Sequence, residues 1–231
     1  ALLARALAVK LHVSNFGPRS MEVARATRQL ADICDRQGEF AQSLEYYQQT
    51  VQTLRALTGE QSPATMHAEL ALVRCHISLG KERQHEGAFG EAAEHFGTAL
   101  AVLERWRGPH HISLAEVLDA LGDLARRQKD FATAERTFRR ALLLREQRYG
   151  VKHPAMGHTL RNLGLVAQCQ GQYATAENCY ETALAIYGDR GGKETEANIV
   201  EIQHTLHALR FAMGKGLVPV VTASTHPYQS S

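Results

Sequence analysis

Residues 160–186 read LRNLGLVAQCQGQYATAENCYETALAI, and the spacing inside this stretch decides the fold. Gly164 is followed nine residues later by Tyr173, then by Ala176, Tyr180 and Ala183-Leu184. Gly171 stands just before Tyr173, where a glycine suits the left-handed position that ends a helix. The pattern predicts a helix over 155–170, a tight turn, and a second helix over 174–187. Small residues on both helices let the two backbones approach closely. The aromatic pair, seven residues apart, is expected to point into the seam with the next helix.

Working outward, the same columns recur without gaps. Ala31, Gly80 and Gly122 match Gly164, at spacings of 49, 42 and 42. Phe40, Phe89 and Phe131 match Tyr173, while Ser43, Ala92 and Ala134 match Ala176. Tyr47, Phe96 and Phe138 match Tyr180, and Thr50, Ala99 and Ala141 match Ala183. Gly38 and Gly87 repeat the turn glycine; Lys129 replaces it in the third copy, so that turn must tolerate a side chain. A second punctuation separates the copies: Gly59-x-x-Ser62-Pro63, Gly108-x-x-His111-Ile112 and Gly150-x-x-His153-Pro154. Gly ends one helix and Pro suits the first turn of the next. His111 and His153 are expected to cap or pack these turns. The remaining predicted pairs are 20–37 with 41–57, 64–86 with 90–106, and 112–128 with 132–148.

The spacing of 49 holds seven extra residues between Pro63 and Gly80. Seven residues are close to two helical turns, drifting only about 20°. Met66, Leu70, Val73 and Ile77 keep helical spacing, so the reading is a longer first helix rather than a longer loop. The ends are partial copies. Residues 1–13 look like the second helix of a preceding pair. Residues 194–213 look like one more first helix, with Ile199, Ile202, Leu206, Leu209 and Met213 on one face. The segment 217–231 reads as an extended tail.

Composition agrees. The chain has 231 residues, 44% apolar but only 6% aromatic, with 26 basic and 24 acidic residues for a net charge of +2. That balance gives no field that favours nucleic acid or a membrane surface. No run of about 18 apolar residues is present to span a bilayer. The opening Ala1-Leu2-Leu3, broken by Arg5, predicts no signal peptide and suggests a fragment or a processed chain. Cys34, Cys75, Cys169 and Cys179 form no CxxC pair and read as free thiols inside helices, in a reducing compartment. No Gly-rich phosphate loop, HExxH or nucleophile elbow appears, and neither His pair, 110-111 or 204 with 207, has a third ligand at a recognised spacing. The expectation is no catalytic residue, no metal and no cofactor.

These columns resemble the tetratricopeptide repeat in its 42-residue form, as in kinesin light chains. The resemblance covers about residues 1–213 and implies an all-α fold, a right-handed α-solenoid of antiparallel helix pairs forming a superhelix. The implied organisation is 1–19 as the second helix of a preceding repeat plus linker, then repeats at 20–60, 61–109 (with the long first helix), 110–152 and 153–190. A C-terminal helix at 191–216 and the tail at 217–231 follow. It further implies that the first helix of each pair lines a concave groove that holds a peptide. Matched by column, the groove candidates are Arg25, Arg28, Gln29, Asp32 and Arg36; Arg74, Ser78, Lys81, Gln84 and His85; Glu116, Asp119, Asp123, Arg126 and Arg127; His158, Arg161, Asn162 and Gln168; and Glu201 with His204. Eight of these are cations on one wall, so an acidic peptide is the expected partner, with Asn162 bonding its backbone; the alternative is a solvated face of mixed charge, which Asp32, Asp119 and Asp123 would partly neutralise. A second stripe, Val200, His204, His207 and Phe211, lies off the buried face of the last helix and is expected to meet the tail, to meet a partner, or simply to face solvent. The function so implied is a non-enzymatic, cytoplasmic interaction scaffold or adaptor. The competing class is a structural subunit of a cytoskeletal or ciliary assembly, whose uncapped ends allow end-to-end self-association.

Overall fold

The computed structural model describes residues 14, 15, 17, 19–188 and 193–214. The readings of 1–13 as a preceding helix and of 217–231 as a covering tail fall outside them. The described residues form helices and no strand: α1 (Met21–Gln37), α2 (Phe40–Thr58), α3 (Pro63–His85), α4 (Phe89–Arg107), α5 (Leu114–Arg127), α6 (Phe131–Tyr149), α7 (Ala155–Cys169), α8 (Tyr173–Gly188) and α9 (Lys193–Gly214). The chain divides into two compact units, Ala1–Leu124 and Ala125–Ser231. In the first, α1 packs on α2, α2 on α3, and α3 on α4. In the second, α6 packs on α7, α7 on α8, and α8 on α9.

The helix ends follow from local chemistry. Ser20 and Ser62 cap α1 and α3 by accepting from the Val23 and Thr65 amides, and Asp130 caps α6 by accepting from Thr133. In the column of Ser62 the later copies carry histidine: His111 Nδ1 accepts from the Ser113 amide and His153 Nδ1 from the Ala155 amide. His153 also stacks on Tyr149, with ring centroids 4.4 Å apart. The turns inside the pairs share one bonding pattern, with Glu39 N–H donating to Cys34 O at 2.9 Å and Asp130 N–H to Ala125 O at 2.9 Å. The position before each donor is left-handed, at φ 78° for Gly38 and 63° for Lys129. Lys129 therefore carries a side chain where glycine is favoured, as the missing glycine required.

The repeated columns are the core. Ser43, Ala92, Ala134 and Ala176 are fully buried, as are Tyr47, Phe96, Phe138 and Tyr180, and Thr50, Ala99, Ala141 and Ala183. The hydroxyls in the first copy are satisfied internally. Ser43 donates to Ala31 O at 2.9 Å, and Thr50 meets Thr27 Oγ1 at 2.9 Å. One expectation changes. The second aromatic of each pair does not point only toward the next helix. A Cβ at Gly80 would lie 2.6 Å from the Phe96 ring, and one at Gly164 2.6 Å from the Tyr180 ring, so these rings lie across the small residue of their own pair. Tyr47 does both, packing with Ala31 of its own pair and with Ala68 and Leu72 of α3.

The long first helix is present: α3 is one unbroken run of 23 residues. Its buried face is centred on Ala68, Leu72, Cys75 and Leu79, with Met66, Leu70 and Ile77 half-buried at its edges, because α2 and α4 both clasp it. In α9, Ile202, Leu206, Leu209 and Ala212 are buried and Ile199 is half-buried. Met213, assigned to that face, is exposed instead; Ala212, one position earlier, turns inward there. Arg210 ties α9 to α8 through Glu177 and Glu181.

Within the α3–α4 pair, His76 Nδ1 lies 3.1 Å from His95 Nδ1. The contact accommodates one proton, so one ring donates and the other accepts. Burial first, and then His95, push His76 from 6.5 down to about 4. Between those values the unfolded chain binds more protons than the folded one, so acid favours unfolding. The stability that neutral His76 contributes is complete above pH 6.5 and is lost as pH falls through 4. His76→Leu, the residue type present in the matching column at Leu118 and Leu160, is expected to remove this component. The wild-type minus variant difference in unfolding free energy should change by about 3 kcal/mol across that window. Parallel curves would rule the contact out as a pH-sensitive element.

Candidate functional site

The first helices present the candidate groove residues, and their charges are largely matched inside each unit. In residues 1–124, Arg74 of α3 meets Asp35 of α1 at 3.1 Å. Lys81 meets Glu116 of α5 at 2.9 Å, and Gln84 donates to Asp123 at 2.6 Å. Asp32 accepts from the Tyr47 hydroxyl, and burial, followed by that bond, pushes the hydroxyl above its ordinary range. Arg25, Arg28 and Arg36 on α1 are exposed and make no ion pair among the described residues. Ser78 is half-buried, His85 is exposed, and Asp119 is buried. Arg74, Ser78 and Lys81 lie four and three residues apart along α3, spacings that share a helix face.

In residues 125–231 the candidates lie on α7 and α9. Arg161 pairs with Glu201. Gln168 is drawn into the core, accepting from the Tyr180 hydroxyl at 2.9 Å. His158 is exposed one turn before Asn162, and His204 is exposed on α9. Asn162 is 5% exposed, and its amide makes no hydrogen bond among the described residues. Among the described residues the one buried side-chain nitrogen or oxygen without a partner is Gln170 Oε1, so the Asn162 amide, although its residue is mostly covered, reaches solvent and offers its donors and acceptor at the surface of that wall. Arg126 and Arg127, at the end of α5, are each engaged by other groups.

The stripe of Val200, His204, His207 and Phe211 is exposed along α9, clear of its buried face. Phe211 has a contact of its own, so the stripe is exposed without being bare.

Sequence reasoning missed two polar features. One is Asp35, whose partner Arg74 lies 39 residues away on α3. The other is Glu69, only 2% exposed, inside the seven extra residues of α3. It accepts from Arg55 at 2.6 Å and from Trp106 Nε1 at 2.7 Å, and it pairs with Arg105. Arg105 also lies over the Trp106 ring, 5.3 Å from its centroid. The signal was available: a lone carboxylate at helical spacing among Thr65, Ala68 and Leu72 must find cations. The other copies place turn residues, His111 and His153, at the matching positions, so Glu69 exists only because α3 is longer. It is a clasp between α2, α3 and α4 rather than a binding residue.

Among the described residues no group of three or more His, Cys, Asp or Glu could hold a metal, and no helix is long and apolar enough to cross a membrane. Cys34 and Cys75 are buried, Cys169 and Cys179 half-buried, and all four are free; burial pushes their thiols up.

Family models described as tetratricopeptide repeats match residues 82–147, 124–189 and 23–64, well over half of the chain. No curated protein matches it. Among solved structures, the crystal structure of BtubC (BKLC) from P. vanneervenii is similar with a TM-score of 0.59 and 17% identity, over 100% of this chain and 97% of that one. A Podosopora anserina protein described as a kinesin light chain with nearly identical TPR-like repeats is similar with a TM-score of 0.53 and 20% identity, over 83% of this chain and 87% of that one. At these identities the likeness is one of fold, and the fold class is the all-α repeat solenoid that the columns predicted.

Proposed function

Because the chain belongs to the tetratricopeptide repeat family, in its kinesin light chain-like form, we propose that it is a non-enzymatic scaffold that captures a peptide segment of a partner protein. Repeats of this family generally mediate protein–protein interaction. The site proposed here is the α7–α9 wall around Asn162, Arg161 and His158, with Arg25, Arg28, Arg36, Arg74, Ser78 and Lys81 as a second candidate set in the first unit. The observation that carries the reading is the Asn162 amide, which bonds to nothing inside the fold and is open to solvent although the residue as a whole is only 5% exposed. An extended peptide offers one N–H and one C=O per residue, which is the complement such an amide lacks.

The acidic preference proposed from sequence is kept in weaker form. Glu201 is 55% exposed in its pair with Arg161, and an exposed pair of this kind contributes only about 0–1 kcal/mol. An incoming carboxylate can therefore take Arg161 from Glu201 at small cost, but it gains less than it would from an unpaired wall.

The test is a labelled array of acidic and neutral peptides, read by fluorescence anisotropy on the whole chain. Asn162→Ala is expected to weaken the best binder about tenfold, the loss of roughly 1.4 kcal/mol of backbone bonding. Its melting should change little, since Asn162 bonds to nothing inside the fold. Arg161→Glu and Arg74→Glu should each lower the preference for acidic peptides. Undiminished affinity in all three variants would overturn the groove reading. The second reading, a structural subunit using its end surfaces, is favoured by the exposed α9 stripe. It predicts concentration-dependent self-association and no preferred peptide.

A further inference from the structure

The outer face of α6 carries a feature that the repeat itself does not require. Leu143 is 49% exposed there. Arg136, Arg139 and Arg140 precede it by seven, four and three residues, the spacings that share a helix face. The matching columns in the other second helices hold different chemistry. At the Arg136 column stand Glu45, Glu94 and Asn178; at Arg139, Gln48, Gly97 and Glu181; at Arg140, Gln49, Thr98 and Thr182. At the Leu143 column stand Gln52, Ala101 and Ala185. Three of four copies thus fold with no arginine and no large apolar residue on this face, so packing of the helix pairs does not explain the set.

The basic character continues to the next turn. Residues 131–152 hold Arg136, Arg139, Arg140, Arg145, Arg148 and Lys152 against Glu135 and Glu146, in a chain whose charge is otherwise balanced. Tyr149 and Val151 are exposed beside Arg148, which lies 6.0 Å from the Tyr149 ring centroid. Arg139 meets Glu135 at 2.7 Å yet keeps 68% of its side chain in solvent. Arg145 turns inward to Thr159, and Arg140 is half-buried and engaged by another group, so Arg136 and Arg139 are the arginines most open to solvent.

We infer that the α6 outer face is a docking surface for an acidic, leucine-anchored segment of a partner protein, separate from the α7–α9 wall. Charge complementarity selects an acidic partner, and exposed arginines favour carboxylates held in bidentate pairs. The exposed leucine at the centre selects a partner with an apolar side chain, because a hydrated polyanion would leave it unmatched. Glu135 and Glu146 at the flanks disfavour a uniform polyanion in the same way.

The probe is an amphipathic peptide of roughly 20 residues built from Glu and Leu, long enough to track the 19-residue α6 over about 28 Å. Binding to the full chain is measured by anisotropy, beside an all-Glu peptide, poly(U) and phosphatidylserine vesicles. The Glu/Leu peptide is expected to bind, and to bind less tightly as salt rises. The double variant Arg136→Glu with Arg139→Glu should bind it at least tenfold more weakly, and Leu143→Ser severalfold more weakly. Both should melt like the parent because the side chains are exposed, and the part of probe binding that depends on Arg136, Arg139 and Leu143 should persist in Asn162→Ala. Equal binding by the variants would overturn the proposal. So would binding of the all-Glu peptide, poly(U) or the vesicles with the same dependence on the arginines and none on Leu143, since the face would then be a general polyanion surface.

Discussion

Gly164→Val is expected to destabilise the second unit by about 3 kcal/mol or more. A Cβ at this position would stand 2.6 Å from Tyr180 Cε1, 2.9 Å from Cδ1 and 3.0 Å from Cζ. The ring has little room to retreat. Tyr180 is fully buried in a cluster with Leu160, Ala167, Ala176 and Ala183, and its hydroxyl donates to Gln168 at 2.9 Å. A branched side chain must therefore push the helices apart, or evict the ring and lose both its burial and its hydrogen bond. Gly164→Ala should cost only about 1 kcal/mol, because the methyl clash is offset in part by the better helix propensity of alanine. The first pair supports that smaller figure, since Ala31 carries a methyl in the same column and is fully buried in the cluster that holds Tyr47. Chemical denaturation with Tyr fluorescence would measure both. A Gly164→Val protein as stable as the parent would show that the close approach does not govern the pair.

The second large effect is expected at Glu69. Glu69→Ala removes the acceptor shared by Arg55, Arg105 and Trp106 Nε1. Breaking a buried pair by removing one partner typically costs about 3–5 kcal/mol. Here the figure is discounted to about 2–3 kcal/mol, because the Arg55 and Arg105 side chains are 40% and 44% exposed and can turn to water. Glu69→Gln keeps the shape and the bond from Trp106, so it should lose about half as much. A double-mutant cycle with Arg55→Met isolates the ionic part. If Glu69→Ala melts with the parent, the clasp contributes nothing to holding α2, α3 and α4 together.

Helix positions were legible to within one or two residues, and the reason lies in the columns themselves. Tyr47, Phe96, Phe138 and Tyr180 occupy one site of a recurring unit, and so do Ser43, Ala92, Ala134 and Ala176. Each must be small or aromatic for backbone reasons that repeat with the backbone. Even the substitutions that break the pattern could be read locally: Lys129 had to take the left-handed turn, and His111 and His153 had to serve turns where the column of Ser62 holds no serine. The edges of faces were less legible. Met213 and Ala212 are neighbours in the chain, and which of them turns inward at the last turn depends on what α8 presents.

The amino-acid sequence alone therefore determined the repeating all-α unit, its 42-residue period, the lengthened α3 and the family to which the chain belongs. All of these follow from steric rules that act within a few residues, or from one helix on its neighbour. The tertiary structure alone decided which charges are spent. Arg74 on Asp35, Lys81 on Glu116 and Arg161 on Glu201 join residues 39, 35 and 40 apart, with no common offset. A column marks where a Cβ sits, whereas an arginine tip can reach several ångströms in any of many rotamers. Its partner is chosen by the packing around it, and that choice left the Asn162 amide open on one wall and the Arg136 and Arg139 side chains largely in solvent on another face.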